Sequence, residues 1–158
     1  MNRIGKFLPG EAINNYEREE YLGKMALRPS RVSQRILNSN GIQKGYYAID
    51  KQQQPIYSNS QMAAFAVRAA ISQSNLELGA IDLLACATTL PDLLVSGFIS
   101  TVQGELSELS TLEIVSTQGV SCGGVSALNY APSQLELCQK QTAIAVASEF
   151  PSRLFKNT

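Results

Sequence analysis

No histidine occurs among the 158 residues, and cysteine occurs three times, as Cys86, Cys122 and Cys138. The odd number argues against a disulfide framework. With no imidazole and no metal-ligand spacing, a zinc site is not expected, nor is any other metal or a resident cofactor. The missing histidine also removes the commonest base that activates a cysteine nucleophile. Net charge is absent too, since 13 basic residues balance 13 acidic ones. Without a global field, nucleic acid and membrane surfaces are not expected partners, and any phosphate-bearing ligand needs a local patch of cations. No run of about 18 apolar residues could span a bilayer. Arg3, Lys6, Glu11, Glu17, Arg18, Glu19 and Glu20 break up the apolar pieces near the amino terminus, which leaves no room for the core of a signal peptide. The expected location is the cytoplasm.

What is present is ordinary globular composition, 44% hydrophobic and 16% charged, in a length that suits one domain over 1–158. From residue 81 onward the segments alternate in type. "IDLLACATT" (81–89) is a nearly continuous apolar run, as expected of a strand buried on both faces. "DLLVSGFISTVQGEL" (92–106) spaces Leu94, Phe98 and Val102 four apart and predicts a helix, and "TLEIVSTQ" (111–118) alternates as a strand. "VSALNYAPSQLELCQKQ" predicts a second helix with Val125, Leu128, Leu135 and Cys138 near one face, and "TAIAVASEF" (142–150) a third strand. Pro132 predicts a kink in that helix or a restart of it.

This rhythm predicts an α/β fold, a mostly parallel sheet with helices on both faces joined by right-handed crossovers. Ahead of it, "NSQMAAFAVRAAISQSNL" (59–76) predicts a helix with Met62, Phe65, Ala66 and Ala69 on one face and Ser58 or Ser60 as its cap. The first 57 residues are less regular. "GKFLPGEAINN" suggests a strand end and a turn, "NSNGI" (38–42) an Asn-Gly turn, and "KQQQP" a polar loop.

The chemistry centres on "QGVSCGGVSALNYA" (118–131), which sets Cys122 between an apolar strand and two glycines at the mouth of a helix. A thiol attacks as its anion, and a helix start offers unpaired N–H groups and the positive end of a dipole. Gly123 and Gly124, lacking side chains, would let a substrate carbonyl approach the sulfur. The N–H of the cysteine could then face the oxyanion formed in acyl transfer. A second account is open: free cysteines are commonly core residues, and a Gly-Gly pair also marks a helix packed close on a sheet. For Cys86, within a strand, and Cys138, at a helical core spacing, the core account is favoured.

"TQGVSCGGVSALNYA" followed by "AIAVASEFPSR" resembles the region around the active-site cysteine of the β-ketoacyl-acyl carrier protein synthase III family, condensing enzymes of the thiolase superfamily. The resemblance continues through "GKFLPGEAINN", "SNGIQKGYYAI", the Ala-rich helix, "LLACATTLPDLLVSGFISTVQGEL" and "TLEIVSTQ", in order and over almost the whole chain. It implies the amino-terminal half of a thiolase-like fold, with Cys122 as the nucleophile and its backbone N–H in an oxyanion hole. An acyl-CoA would load the cysteine, and a malonyl thioester on acyl carrier protein would condense with it after losing carbon dioxide, as in fatty-acid or polyketide-type biosynthesis. Pro91 to Phe98 would lie near the acyl pocket and the interface of a homodimer.

The chain departs from the family's pattern in several places. The family's catalytic His and Asn come from a second half, so a carboxy-terminal segment or partner chain would supply them. Asn129 matches no such position and is expected on the helix surface. Where many members carry an arginine before the turn at "NGI", this chain has Ser39. Arg31, Arg35 and Lys44 are the nearby cations that could hold coenzyme A phosphates, or they are solvated surface charges. The amino terminus begins later than in the family, which shortens the first strand. Uncovered apolar sheet surface is expected to make the isolated chain self-associate. Acyl transfer to a different acceptor in specialised metabolism, or a non-catalytic subunit or fragment of a condensing enzyme, are the alternative functions.

Overall fold

The structure, a computed structural model, describes residues 3–23, 31–109 and 111–154, and the side chains of all of these but 31–34. The described chain forms two compact units, one of residues 3–7 and 59–149, the other of 8–58 and 150–154.

The first unit is built on a parallel three-stranded sheet. Strand β3 (Leu83–Thr88) lies between β4 (Glu113–Gln118) and β5 (Ala143–Ala147), with Ala87 opposite both Thr117 and Ala147. All six residues of β3 are buried, which is why it reads as an unbroken apolar run rather than an alternating one. Its side chains still divide by parity. Leu84 and Cys86 enter the main core with Ala63, Ala64 and Val67 of helix α3 (Asn59–Ser72) and Phe98, Ile99 and Val102 of α4 (Gly97–Glu105). Ala85 and Ala87 face the opposite way, against Ala127 and Tyr130 of helix α5 (Gly123–Glu136). Helices thus cover both faces of the sheet, as the alternating pattern predicted.

Three details differ from the sequence expectations. Helix α4 begins at Gly97 rather than near residue 92, because Ser96 and Gly97 both adopt left-handed backbone, with φ of +84° and +69°. Helix α5 turns the other face inward. Gly123, Ala127 and Ala131 are its buried residues, while Val125 and Leu128 are 59% and 52% exposed and Cys138 is exposed beyond the helix end. Small residues at i, i+4 and i+8 let the helix approach the alanines of β3 and β5 closely, and the larger side chains are left outside. Pro132 neither ends nor restarts α5, which runs on to Glu136, and the Ser133 hydroxyl donates to the Asn129 carbonyl at 2.8 Å. Uncovered apolar side chains thus include Val125 and Leu128 of α5, together with Leu94 and Val95 in the segment ahead of α4.

The start of α3 is also held by a residue distant in sequence. The Asp92 carboxylate accepts the backbone N–H groups of Asn59 and Ser60 at 3.1 and 2.8 Å. Behind that cap Asn59 is fully buried. It donates to the Thr88 hydroxyl at 2.8 Å, and its own side-chain oxygen accepts from Ser148 at 2.7 Å. The three residues join α3 to the carboxyl ends of β3 and β5. Residues 3–7 dock on α3 without forming a strand: Phe7 and Phe65 rings lie 4.7 Å apart, and any side chain at Gly5 would collide with the backbone of Ala66 and Ala70.

In the second unit β1 (Ile13–Asn14) pairs antiparallel with β2 (Lys44–Gly45), beside the short helices α1 (Arg18–Leu22) and α2 (Arg31–Ser39). The Asn-Gly signal is realised as the end of α2: Gly41 has φ +70° and the Ile42 N–H returns to the Leu37 carbonyl at 3.0 Å. The polar "KQQQP" loop is a turn closed by the Asp50 carboxylate on the Gln54 N–H at 2.8 Å. Lys51 and Glu20 pair at 2.6 Å, and the rings of Tyr21 and Tyr47 stack at 6.0 Å.

Candidate functional site

The carboxyl ends of parallel strands are where open α/β sheets bind ligands, because the loops leaving them reach the following helices there. In the first unit that edge is formed by Thr88 and Thr89 after β3, Gln118 at the end of β4, and Ser148 and Glu149 after β5. Gln118 donates to the Thr89 carbonyl at 3.3 Å, and one Glu149 carboxylate oxygen accepts both the N–H and the hydroxyl of Thr89, at 2.7 and 2.8 Å. These bonds tie the three strand ends together.

Cys122 is set on this edge by a four-residue turn and is the N-cap of α5. Ser121, immediately before it, holds φ at +63°, a left-handed conformation that a non-glycine residue adopts only where its surroundings enforce it. Gly119 explains the tightness of the turn. A Cβ there would stand 2.6 Å from the Cys122 sulfur, and its carbonyl accepts the Gly123 N–H at 3.3 Å. Cys122 is exposed, and no side chain caps the helix start. Among the described residues none accepts the Cys122 N–H. An exposed thiol beside its own unpaired N–H can present both a nucleophile and a donor for the oxygen of an attacked carbonyl.

The first turn is braced from below. The Cys122 carbonyl accepts the Ser126 N–H at 3.0 Å and its hydroxyl at 3.1 Å. The Thr117 hydroxyl, on β4, donates to the Gly123 carbonyl at 2.9 Å. Gly123 is buried, with its missing Cβ at 3.7 Å from Ala87, and a Cβ on Gly124 would meet that of Ala147 at 3.2 Å. Both glycines therefore serve the close seating of α5 on the sheet.

The other sequence candidates lie on other elements. Arg35 lies on α2 and Lys44 on β2, in the second unit, as does Arg31 at the start of α2, whose side chain is outside the described residues. Asn129 is exposed on α5, as expected. Cys86 is fully buried, and desolvation pushes its thiol up to about 12, which makes it an inert core residue. Cys138 corrects the sequence expectation of a core thiol: it is exposed at φ +54°, past the end of α5. Among the described residues no cluster of three His, Cys, Asp or Glu side chains could hold a metal ion, and no helix is long and apolar enough to cross a membrane.

Thr117, Gly119, Ser121 and the Asn59 network were not singled out by sequence. Gly119 carried a signal, a third glycine just ahead of the cysteine. The others are ordinary residues whose roles come from partners distant in the chain or from backbone conformation.

No protein-family model matches the chain. In sequence it is similar to a β-ketoacyl-[acyl-carrier-protein] synthase III of Thiobacillus denitrificans, 29% identical over 150 residues, which cover 95% of this chain and 43% of that protein. In structure it is similar to the β-ketoacyl-[acyl carrier protein] synthase III of Thermus thermophilus, with a TM-score of 0.71 and 22% identity over 96% of this chain and 43% of the other. A tetronic acid condensing enzyme superposes with a TM-score of 0.78 at 20% identity, over 98% of this chain and 44% of the other. The fold is thiolase-like, and the chain spans less than half the length of the curated relative it matches.

Proposed function

We propose that the chain, which matches the amino-terminal half of the β-ketoacyl-acyl carrier protein synthase III proteins, carries the acyl-accepting cysteine of a condensing enzyme. The Cys122 thiolate attacks the carbonyl of an acyl thioester. The Cys122 N–H holds the oxyanion, and coenzyme A leaves as its thiol once the tetrahedral intermediate collapses. A malonyl thioester on acyl carrier protein then loses carbon dioxide, and the resulting carbanion attacks the acyl-cysteine carbonyl. The β-ketoacyl thioester departs and the Cys122 thiolate is restored. No residue is oxidised or reduced in this sequence.

The single observation that supports this most is the placement of an exposed Cys122 at the start of α5, in a turn shaped by Gly119 and the left-handed Ser121. With no histidine in the chain, the groups that promote decarboxylation are to be supplied by a carboxy-terminal half or a partner chain. Arg31, Arg35 and Lys44 are the proposed cations for coenzyme A phosphates, and the complete enzyme is proposed to be a cytoplasmic homodimer.

The test is the denaturing intact mass of the protein after incubation with short and medium acyl-CoA thioesters. An acyl increment is expected on the wild type and none on Cys122→Ala. An increment that persists in the variant, or none on either protein, defeats the reading. A variation keeps the same acyl-cysteine and passes its acyl group to an acceptor other than a malonyl thioester. Products formed from malonyl and alternative acceptors separate the two.

A further inference from the structure

We propose that Thr117 is a positioning residue for Cys122, acting through its hydrogen bond to the first turn of α5. This deepens the proposed acyl transfer and rests on it for its substrate, though not for its geometry.

Thr117 is the penultimate residue of β4, and its hydroxyl leaves the strand to reach the Gly123 carbonyl at 2.9 Å. The Cys86 carbonyl is at 3.5 Å, at the limit of hydrogen-bond distance. A hydroxyl has one proton, and the shorter contact takes it. The acceptor is the carbonyl of the residue that follows the cysteine. A carbonyl has two lone pairs, so it can take the threonine proton and still serve as a helix acceptor.

The remaining contacts explain why this bond matters for the sulfur. On the amino-terminal side of Cys122 the chain is held by the Gly123 N–H on Gly119 and by the turn through Ser121. Contacts on the helical side come from Ser126, a residue of α5 itself, and from the seating of Gly123 and Gly124 over Ala87 and Ala147. Glycines and alanines offer contact without direction. Among these contacts the Thr117 hydroxyl is the directional one between the sheet and the first turn of α5. It fixes the rotation of that turn about the helix axis, and with it the aim of the Cys122 sulfur and N–H. A shift of about 1 Å in a reacting group can cost on the order of a hundredfold in rate.

The experiment compares Thr117→Val, which keeps the shape and removes the donor, with Thr117→Ser, which keeps the donor, on the full chain. Acylation of Cys122 by acyl-CoA is followed by mass against donor concentration, and iodoacetamide alkylation of Cys122 at pH 7 is followed in parallel. Thr117→Val is expected to lower the saturating acylation rate at least tenfold with the half-saturating donor concentration unchanged, and alkylation at least threefold. Thr117→Ser should stay within about threefold of wild type in both, the allowance for one lost methyl contact. If the valine variant does not fold, Thr117→Ala removes the hydroxyl without strain and is read the same way.

Wild-type rates in the valine variant, equal losses in valine and serine variants, or failure of both the valine and alanine variants to fold would each overturn the proposal. If no donor acylates the wild type, the acyl-transfer reading fails by itself. The alkylation arm, which needs no donor, still decides Thr117.

Discussion

At the scale of single residues, the three cysteines occupy three different electrostatic settings, and their reactivity should follow. Cys122 sits at the positive end of α5, Cys138 beyond its negative end, and Cys86 in the core. Iodoacetamide at pH 7 is expected to modify both exposed thiols, Cys122 and Cys138, in the native protein, as each site is followed by peptide mass. Cys86, with its thiol pushed to about 12, should react only in denaturant. Alkylation of Cys86 in the native protein would contradict the core described here. Gly119 gives a second prediction. An alanine there would collide with the Cys122 sulfur, so Gly119→Ala should slow acylation by about a hundredfold while leaving the melting temperature within a few degrees. The cysteine and the glycines after it were legible in the sequence. The left-handed Ser121 was not, because nothing in the identity of a serine announces a positive φ.

Secondary-structure elements were legible to the extent that their burial follows hydrophobicity. Strand β3 and helix α3 show their character in an apolar run and an Ala-rich stretch, and both formed where the pattern put them. Helix α5 was found, yet with the opposite face assigned to the core. A moment calculated from large apolar residues points toward Val125 and Leu128, whereas the sheet is met by Gly123, Ala127 and Ala131. Shape complementarity between small residues leaves no hydrophobic period to read. At the start of α3 the Asp92 carboxylate, 32 residues from Ser60, was beyond the reach of any local pattern. Asp92→Ala should destabilise the protein by about 1 kcal/mol, the usual worth of a side-chain cap, as measured by urea unfolding. Asn59→Ala should cost more, about 1–3 kcal/mol, since the buried Thr88 hydroxyl and the half-buried Ser148 hydroxyl lose a partner.

For the whole molecule, acid sensitivity can be derived from three carboxylates held below their ordinary values. Backbone N–H groups of Gln141 and Thr142 lower Asp82, a hydrogen bond from Arg68 lowers Glu108, and hydrogen bonds from Lys140 and Tyr130 lower Glu113. Each group binds its proton more weakly when folded than when unfolded. Their stabilisation is then complete above about 4.5 and is lost as the pH falls through their depressed values. A urea midpoint that is flat from pH 6 to about 5 and then declines is the expected titration. Exposed apolar surface supplies the last prediction. Val125 and Leu128 on α5, and Leu94 and Val95 at 82% and 84% exposure, should make the isolated chain associate with rising concentration. Sedimentation velocity should show that association weakened in Val125→Ser/Leu128→Ser. That a second half exists in the relatives could be anticipated from the family resemblance. That Val125 and Leu128 are part of the uncovered surface could not, since it depends on which side of α5 fits the alanines.

Those alanines have a consequence for how the chain can vary. Gly123 and Gly124 rest almost directly on Ala87 and Ala147, so the girth of two strand residues sets the height at which α5 rides above the sheet. A methyl group added to either would act as a shim. It would raise the helix and carry Cys122 out of register with whatever faces it, while leaving every atom of the cysteine turn unchanged. Sequence drift on the inner face of β3 and β5 is in this sense a mechanical adjustment of the sulfur, made from underneath.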